Sequence, residues 1–312
     1  MNLATLKSRF FILIAAIVFA LCLVYLYKEF QWRPALAIVK TADIGIFLFG
    51  AVFSIVTFWI FRTLRWAVML EVFGYHKLSF WSLYIAIAYS LGLSMVMPLQ
   101  SGEILKVEML NRKSGLPRSD GYFALAIERL LDIVVVLSIT IICISFSSFS
   151  GEKVISALII MGVFLLTALI VYLLFHFCGD QLSIVKEIKS RVSILLENPY
   201  LLFKTTVLTV LAWACVVFGW WVSLWSIDVI TTPVDITGMT TGMTLVNVVS
   251  FIPGSVGVSE VGISVWLNYL GIDLEMANAG ALILRAYGLM LLVVGICHWL
   301  VVKSFFRSKA PE

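Results

Sequence analysis

Eight ionisable side chains fall inside or beside long apolar stretches: Glu103, Lys106 and Glu108, then Glu128, Arg129 and Asp132, then Glu260, and finally Arg285. An ionisable group at bilayer depth costs about 2.5–3.5 kcal/mol on insertion scales, so each of these needs a partner or a wet cavity. A guanidinium is permanently charged and its planar fork binds phosphate through paired hydrogen bonds. Arg129 and Arg285 are therefore the leading candidates for binding an anion, with structural charge pairing as the alternative. Glu103 and Glu260 each follow a helix-breaking proline, where a carboxylate either caps the next helix or takes part in function. Glu128 and Asp132 lie four apart on one helical face around Arg129, which suits a solvated entrance, local ion pairing or substrate contact.

The spacing of these residues repeats. Glu103 is followed 12 residues later by Gly115 and 26 later by Arg129, while Glu260 is followed 11 later by Gly271 and 25 later by Arg285. Each acid also follows a break, Pro98 with Gly102 in the first case and Pro253 with Gly254 and Gly257 in the second. We read two units, 80–146 and 236–302, within a single membrane domain over 1–312. Glu103 can pair with Arg129 and Glu260 with Arg285, or the pairs can cross between units.

The elements that must position these groups follow from composition. The chain is 62% hydrophobic and 13% charged, whereas soluble domains average about 25% charged, so it is a polytopic membrane protein. Segments 10–27, 42–61, 121–145, 154–177, 202–225 and 276–302 are long enough to span a bilayer, the first as an uncleaved signal-anchor. The apolar stretches ending at Pro98 and Pro253 are followed by short helical pieces. Proline breaks a helix, and broken backbone at membrane depth must be buried in protein or line a cavity. Each pair is therefore expected to form a re-entrant hairpin. The predicted fold is an all-α polytopic membrane protein with six transmembrane helices and two re-entrant helical hairpins forming inverted repeats.

The charges agree with that topology, since lysine and arginine accumulate in cytoplasmic loops. Lys7, Arg9, Arg62, Arg65, Lys77, Arg112, Lys113, Arg118, Lys186, Lys189, Arg191, Lys204, Lys303, Arg307 and Lys309 fall on one side, against Lys28, Arg33, Lys40 and Lys153 on the other. Both termini are expected in the cytoplasm. The stretch 62–74 and the charged segment 179–199 read as interfacial, and tryptophans including Trp32, Trp59, Trp66, Trp81 and Trp299 as aromatic belts. With the hairpins inverted, the two breaks should meet near the midplane with Arg129 and Arg285 facing the space between them.

Other chemistry finds less support. Thr240, Thr244, Asn247 and Ser250 share one helical face and either contact a polar headgroup or pack between helices. Asn278 shares the face of Arg285. The three histidines lack ligand spacing, so neither a metal nor a cofactor is expected, and no nucleotide-binding G-x-x-x-x-G-K-[ST] or nucleophilic G-x-S-x-G element occurs. Nothing points to nucleic acid.

Four short motifs in order carry a resemblance: P-x-x-x-G-E at Pro98 to Glu103, E-R-x-x-D at Glu128 to Asp132, P-G-x-x-G-x-x-E at Pro253 to Glu260, and A-x-x-L-R ending at Arg285. Together they resemble the flippase-like membrane domain of lysylphosphatidylglycerol synthases, over about residues 43–302. The soluble aminoacyl-transferase domain of those synthases has no counterpart before Glu312, so lysyl transfer is not implied. The resemblance implies an inner-membrane transporter that moves an anionic phospholipid or polyprenyl-phosphate-linked lipid between leaflets through a cavity lined by Glu and Arg. The alternatives are an integral membrane enzyme and an accessory subunit in lipid or lipid-linked glycan metabolism. A glycosyltransferase or lipid-modifying partner and a homo-oligomer both stay open.

Overall fold

The computed structural model describes residues 19–75, 78–95, 97–146, 198–249 and 252–307. The expected span at 154–177 and the surface segment at 179–199 therefore fall outside the described residues, apart from the last two positions of the latter. All regular structure among the described residues is helical. A short apolar helix α1 (Phe19–Lys28) is followed by α2 (Trp32–Lys40), α3 (Ile44–Val72) and α4 (Phe80–Ser94). A 3-10 turn over Pro98–Glu103 then leads to α5 (Ile104–Ser114) and α6 (Arg118–Phe146). After α7 (Pro199–Trp225) come α8 (Pro233–Val249), a second 3-10 turn at Pro253–Ser255, α9 (Val258–Tyr269) and α10 (Leu274–Arg307).

Local sequence sets the ends of these helices. Asp43 caps α3 by accepting from the Ile46 amide at 2.9 Å, and Asn198 caps α7 with Pro199 in its first turn. Both helices thus start where short polar side chains replace the missing intrahelical acceptors. Among the described residues four helices, α3, α6, α7 and α10, are long and apolar enough to cross a membrane. The helix expected over 42–61 continues to Val72, and its inward face past the expected end, Arg62, Thr63, Arg65, Trp66, Met69 and Leu70, is buried in the protein, while Leu64 is exposed. Trp59 and Trp66 are fully buried too, so they are core residues and not belt residues, while Trp32 and Trp81 are exposed.

The two stretches 80–146 and 233–307 share one element order: a broken first arm, a 3-10 turn, a short second arm and a long helix. They interlock, since the long helix α6 packs against α8 and the long helix α10 packs against α4. Gly92 and Gly295 allow the α4–α10 crossing, where a Cβ on Gly92 would lie 3.3 Å from the Gly295 Cα. Small residues of this kind let helix backbones approach closely without a water-driven force between them.

Helix α3 packs along α7 and completes the scaffold. At their contact Gly219 faces Ser54 and Tyr287, and a Cβ there would lie 2.6 Å from the Tyr287 ring. Ser54 is already fixed, donating to the Cys215 carbonyl at 2.6 Å and hydrogen-bonded to the Tyr287 hydroxyl at 2.8 Å. Gly219→Ala should therefore destabilise the protein by about 1–3 kcal/mol, the usual cost of overpacking. Thermal unfolding in detergent measures it, and an unchanged midpoint would show that the contact relaxes freely.

Candidate functional site

Helix α3 contributes Arg62 and Arg65 to the centre of the molecule, three residues apart and on one face. Helix α6 opposes them with Glu128 and Asp132, four apart. The long arms of the arginines interleave with the carboxylates. Arg65 bonds Glu128 and Asp132, each at 2.6 Å, and reaches the Thr209 hydroxyl on α7 at 2.8 Å. Arg62 bonds Glu128 at 2.6 Å and lies 3.4 Å from both Glu103 and Asp132.

Helix α5 closes the cluster from the other side. Lys106 is fully buried, bonds Glu103 at 2.9 Å, contacts Glu128 directly and sits 4.5 Å from the centre of the Trp66 ring. The Trp66 indole donates to the second Glu128 oxygen at 2.6 Å. Glu128 is thus held by two arginines, a lysine and an indole, which offsets the desolvation of a carboxylate with no exposed surface. Arg129, the most exposed member, bridges Glu103 at 2.9 Å and Asp132 at 2.8 Å.

The second unit has a smaller version. Arg285 on α10 lies 3.3 Å from Glu260 and donates to the Gly254 carbonyl at 2.7 Å. Both pairings foreseen within the units therefore occur, Glu103 with Arg129 and Glu260 with Arg285. The two acids differ in their backbone role. Glu260 accepts from the Gly257 amide at 2.7 Å and caps α9, whereas Glu103 forms no cap because a 3-10 turn runs directly into α5. Glu108 does not join the cluster. It forms a partly exposed pair with Arg118 and accepts from the Tyr122 hydroxyl.

The two breaks meet. A Cβ on Gly254, which sits at φ +60°, would be 2.7 Å from the Met95 carbonyl at the end of α4. Beside this contact opens a cavity of about 270 Å³ whose lining includes Arg62, Glu103, Arg129, Asp132 and Arg285. Glu128, Arg65 and Lys106 stand behind that wall and Glu260 beside it, so they support the lining without forming it. Thr244 and Asn247 from the expected polar stripe reach the cavity, and Asn247 accepts from Ser259 at 2.8 Å. Thr240 is buried and bonds its own helix at the Ile236 carbonyl; Ser250 lies outside the described residues. Asn278, buried against Ser264 at 2.5 Å, does not line the cavity. Trp213 lines both this cavity and an adjoining apolar groove of about 340 Å³ between α6, α7 and α8.

Sequence reasoning missed Arg62 and Arg65. Their signal was the spacing Trp59, Arg62, Trp66, Met69, which keeps one helical face in register beyond the apparent end of the span.

Long apolar helices surrounding a buried charged cavity define a helical integral membrane protein. The chain matches the lysylphosphatidylglycerol synthase transmembrane region over residues 12–295, and it belongs to that family. It is also similar to a UPF0104 membrane protein of Methanocaldococcus jannaschii, 26% identical over 114 residues, which are 35% of this chain and 34% of that protein. The matched region thus spans about a third of the curated relative's length. No solved structure matches.

Proposed function

We propose that the protein translocates an anionic, phosphate-bearing lipid between membrane leaflets, with the phosphate passing through the cavity beside the Pro98 and Pro253 breaks. The observation that carries this reading is the convergence of Arg62, Arg129 and Arg285 on one cavity. Membership of a family defined by the membrane region of a lipid synthase supports a lipid as the cargo. The apolar groove that meets the cavity at Trp213 suits an amphiphile, whose headgroup and hydrocarbon need unlike surroundings.

In this reading 10–27 and 154–177 join α3, α6, α7 and α10 as the six spans of an inner-membrane transporter, and the two hairpins enter from opposite faces as inverted repeats. Removing the buried Arg62 and Arg65 from the surface charges leaves the same bias toward cytoplasmic termini. Arg129, Arg285, Glu103, Glu260, Asp132 and Asn247 then form or support the path, with Glu128 as the anchor of the charge cluster.

Purified protein in vesicles containing a chain-labelled fluorescent phosphatidylglycerol tests the reading. Dithionite should quench label from both leaflets with the wild-type protein. Arg129→Ala and Arg285→Ala should each slow the inner-leaflet phase at least about tenfold, in line with about 1.5–3 kcal/mol for a hydrogen bond to a charged group. Unchanged rates in both variants would sink the proposed path.

A further inference from the structure

We propose that Tyr287 is a positioning residue for the cavity: through a relay of two hydroxyls, its own and that of Ser54, it sets where α10 holds the Arg285 guanidinium. This rests on the reading of the cavity as a phosphate path and adds a residue that acts on the path from outside the charge cluster.

The relay has a direction. Ser54 on α3 donates to the Cys215 carbonyl on α7 at 2.6 Å and lies 2.8 Å from the Tyr287 hydroxyl on α10. A carbonyl can only accept, so the single Ser54 proton is spent there and Tyr287 must be the donor of the other bond. The chain of bonds thus runs from α10 to α3 to α7. Ser54 and Tyr287 are both buried, and the Tyr287 ring lies against Gly219, where an added Cβ would be 2.6 Å from it. A ring seated that closely has little room to swing.

Helix α10 turns its other side to the breaks. Arg285 and Gly288, three positions apart, share a face, and Tyr287 lies about 200° around the helix from Arg285. From that face Arg285 donates to the Gly254 carbonyl at 2.7 Å, and a Cβ on Gly288 would be 2.8 Å from the Met95 Cε. One side of α10 is therefore tied to the α3–α7 pair while the other bears on the end of α4 and on the second break. A rotation of α10 that breaks the relay also carries Arg285 away from Gly254.

Stability does not account for the hydroxyl pair. Hydrogen bonds between helices in a membrane add little stability, and apolar groups of the same shape can replace both partners at almost no cost. What the pair adds is direction, because a hydrogen bond weakens steeply as its donor leaves the line to the acceptor. Apolar contact alone would tolerate a small rotation of α10.

The test uses the full chain in phosphatidylcholine vesicles, with the rate followed as the mole fraction of labelled phosphatidylglycerol is raised. Tyr287→Phe and Ser54→Ala should each raise the half-saturating fraction about fivefold, the range of one interhelical hydrogen bond. The double variant should raise it no further, since both changes remove the same bond. Its unfolding midpoint should move by no more than about 4 °C. A purely structural role would lower the maximal rate, through loss of folded protein, and leave half-saturation unchanged. That result, a rise in only one of the single variants, or a double variant at the product of the two would overturn the inference. Where Tyr287→Phe does not fold, half-saturation in Ser54→Ala decides alone. If Arg285→Ala slows transport while the hydroxyl variants keep wild-type half-saturation, the path stands and only the positioning role is wrong; if Arg285→Ala moves lipid as the wild type does, both fail.

Discussion

Arg65→Met should cost about 3–5 kcal/mol and lower the unfolding midpoint in detergent by roughly 10 °C, because the change removes the cation that two buried carboxylates share at 2.6 Å. Methionine fills much of the volume of the arginine stem, so packing alone would predict a mild effect. The buried charges predict otherwise. Arg65 has no exposed surface and links α3 to Asp132 and Glu128 on α6 and to Thr209 on α7. Without it Asp132 keeps the 3.4 Å approach of Arg62, a 3.4 Å hydrogen bond from the Trp213 indole and the contact with the more exposed Arg129. Arg118→Met supplies the control. Its pair with Glu108 is well hydrated, with the Arg118 side chain 57% exposed, and exposed pairs contribute about 0–1 kcal/mol. Tryptophan fluorescence melts of the two variants should therefore differ widely. Similar shifts would mean that the buried cluster is no more stabilising than a surface pair.

The same arginine shows where sequence reading fails and why. Residues Phe61 to Trp66, F-R-T-L-R-W, look like the basic, aromatic end of a span that emerges from the membrane. Charge type and hydropathy are local, whereas the reason these arginines stay buried is distant: Glu128 and Asp132 lie more than sixty positions away in sequence. The acids themselves hinted at the gap, since two carboxylates with only Arg129 beside them needed more cations than their neighbourhood supplies. The breaks and the pairs within each unit were legible because proline and glycine act on the backbone locally and because the acid-to-arginine spacing repeats. The differing backbone roles of Glu103 and Glu260 were not, since a 3-10 turn and a glycine-lined loop follow the same kind of Pro-to-Glu motif.

Gly254→Ala should abolish lipid movement while leaving a folded protein, slowing transport well beyond tenfold. Two costs combine at this position. The left-handed backbone at φ +60° costs an alanine about 1–2 kcal/mol. Its Cβ would also press at 2.7 Å on the Met95 carbonyl, a backbone atom that cannot rotate aside. The relief available is to separate the two breaks, and that moves the Gly254 carbonyl to which Arg285 donates at 2.7 Å. The anion-binding side chain and the contact between the breaks are thus disturbed by one methyl group. Gly271→Ala isolates the steric part. Gly271 has φ +86° but nothing within 4 Å of where an added Cβ would sit, so it bears the backbone cost without a clash. It should lose stability by a similar increment and still move lipid near the wild-type rate. Equal transport by the two variants would mean that the approach of the breaks is a packing detail and that the path runs elsewhere.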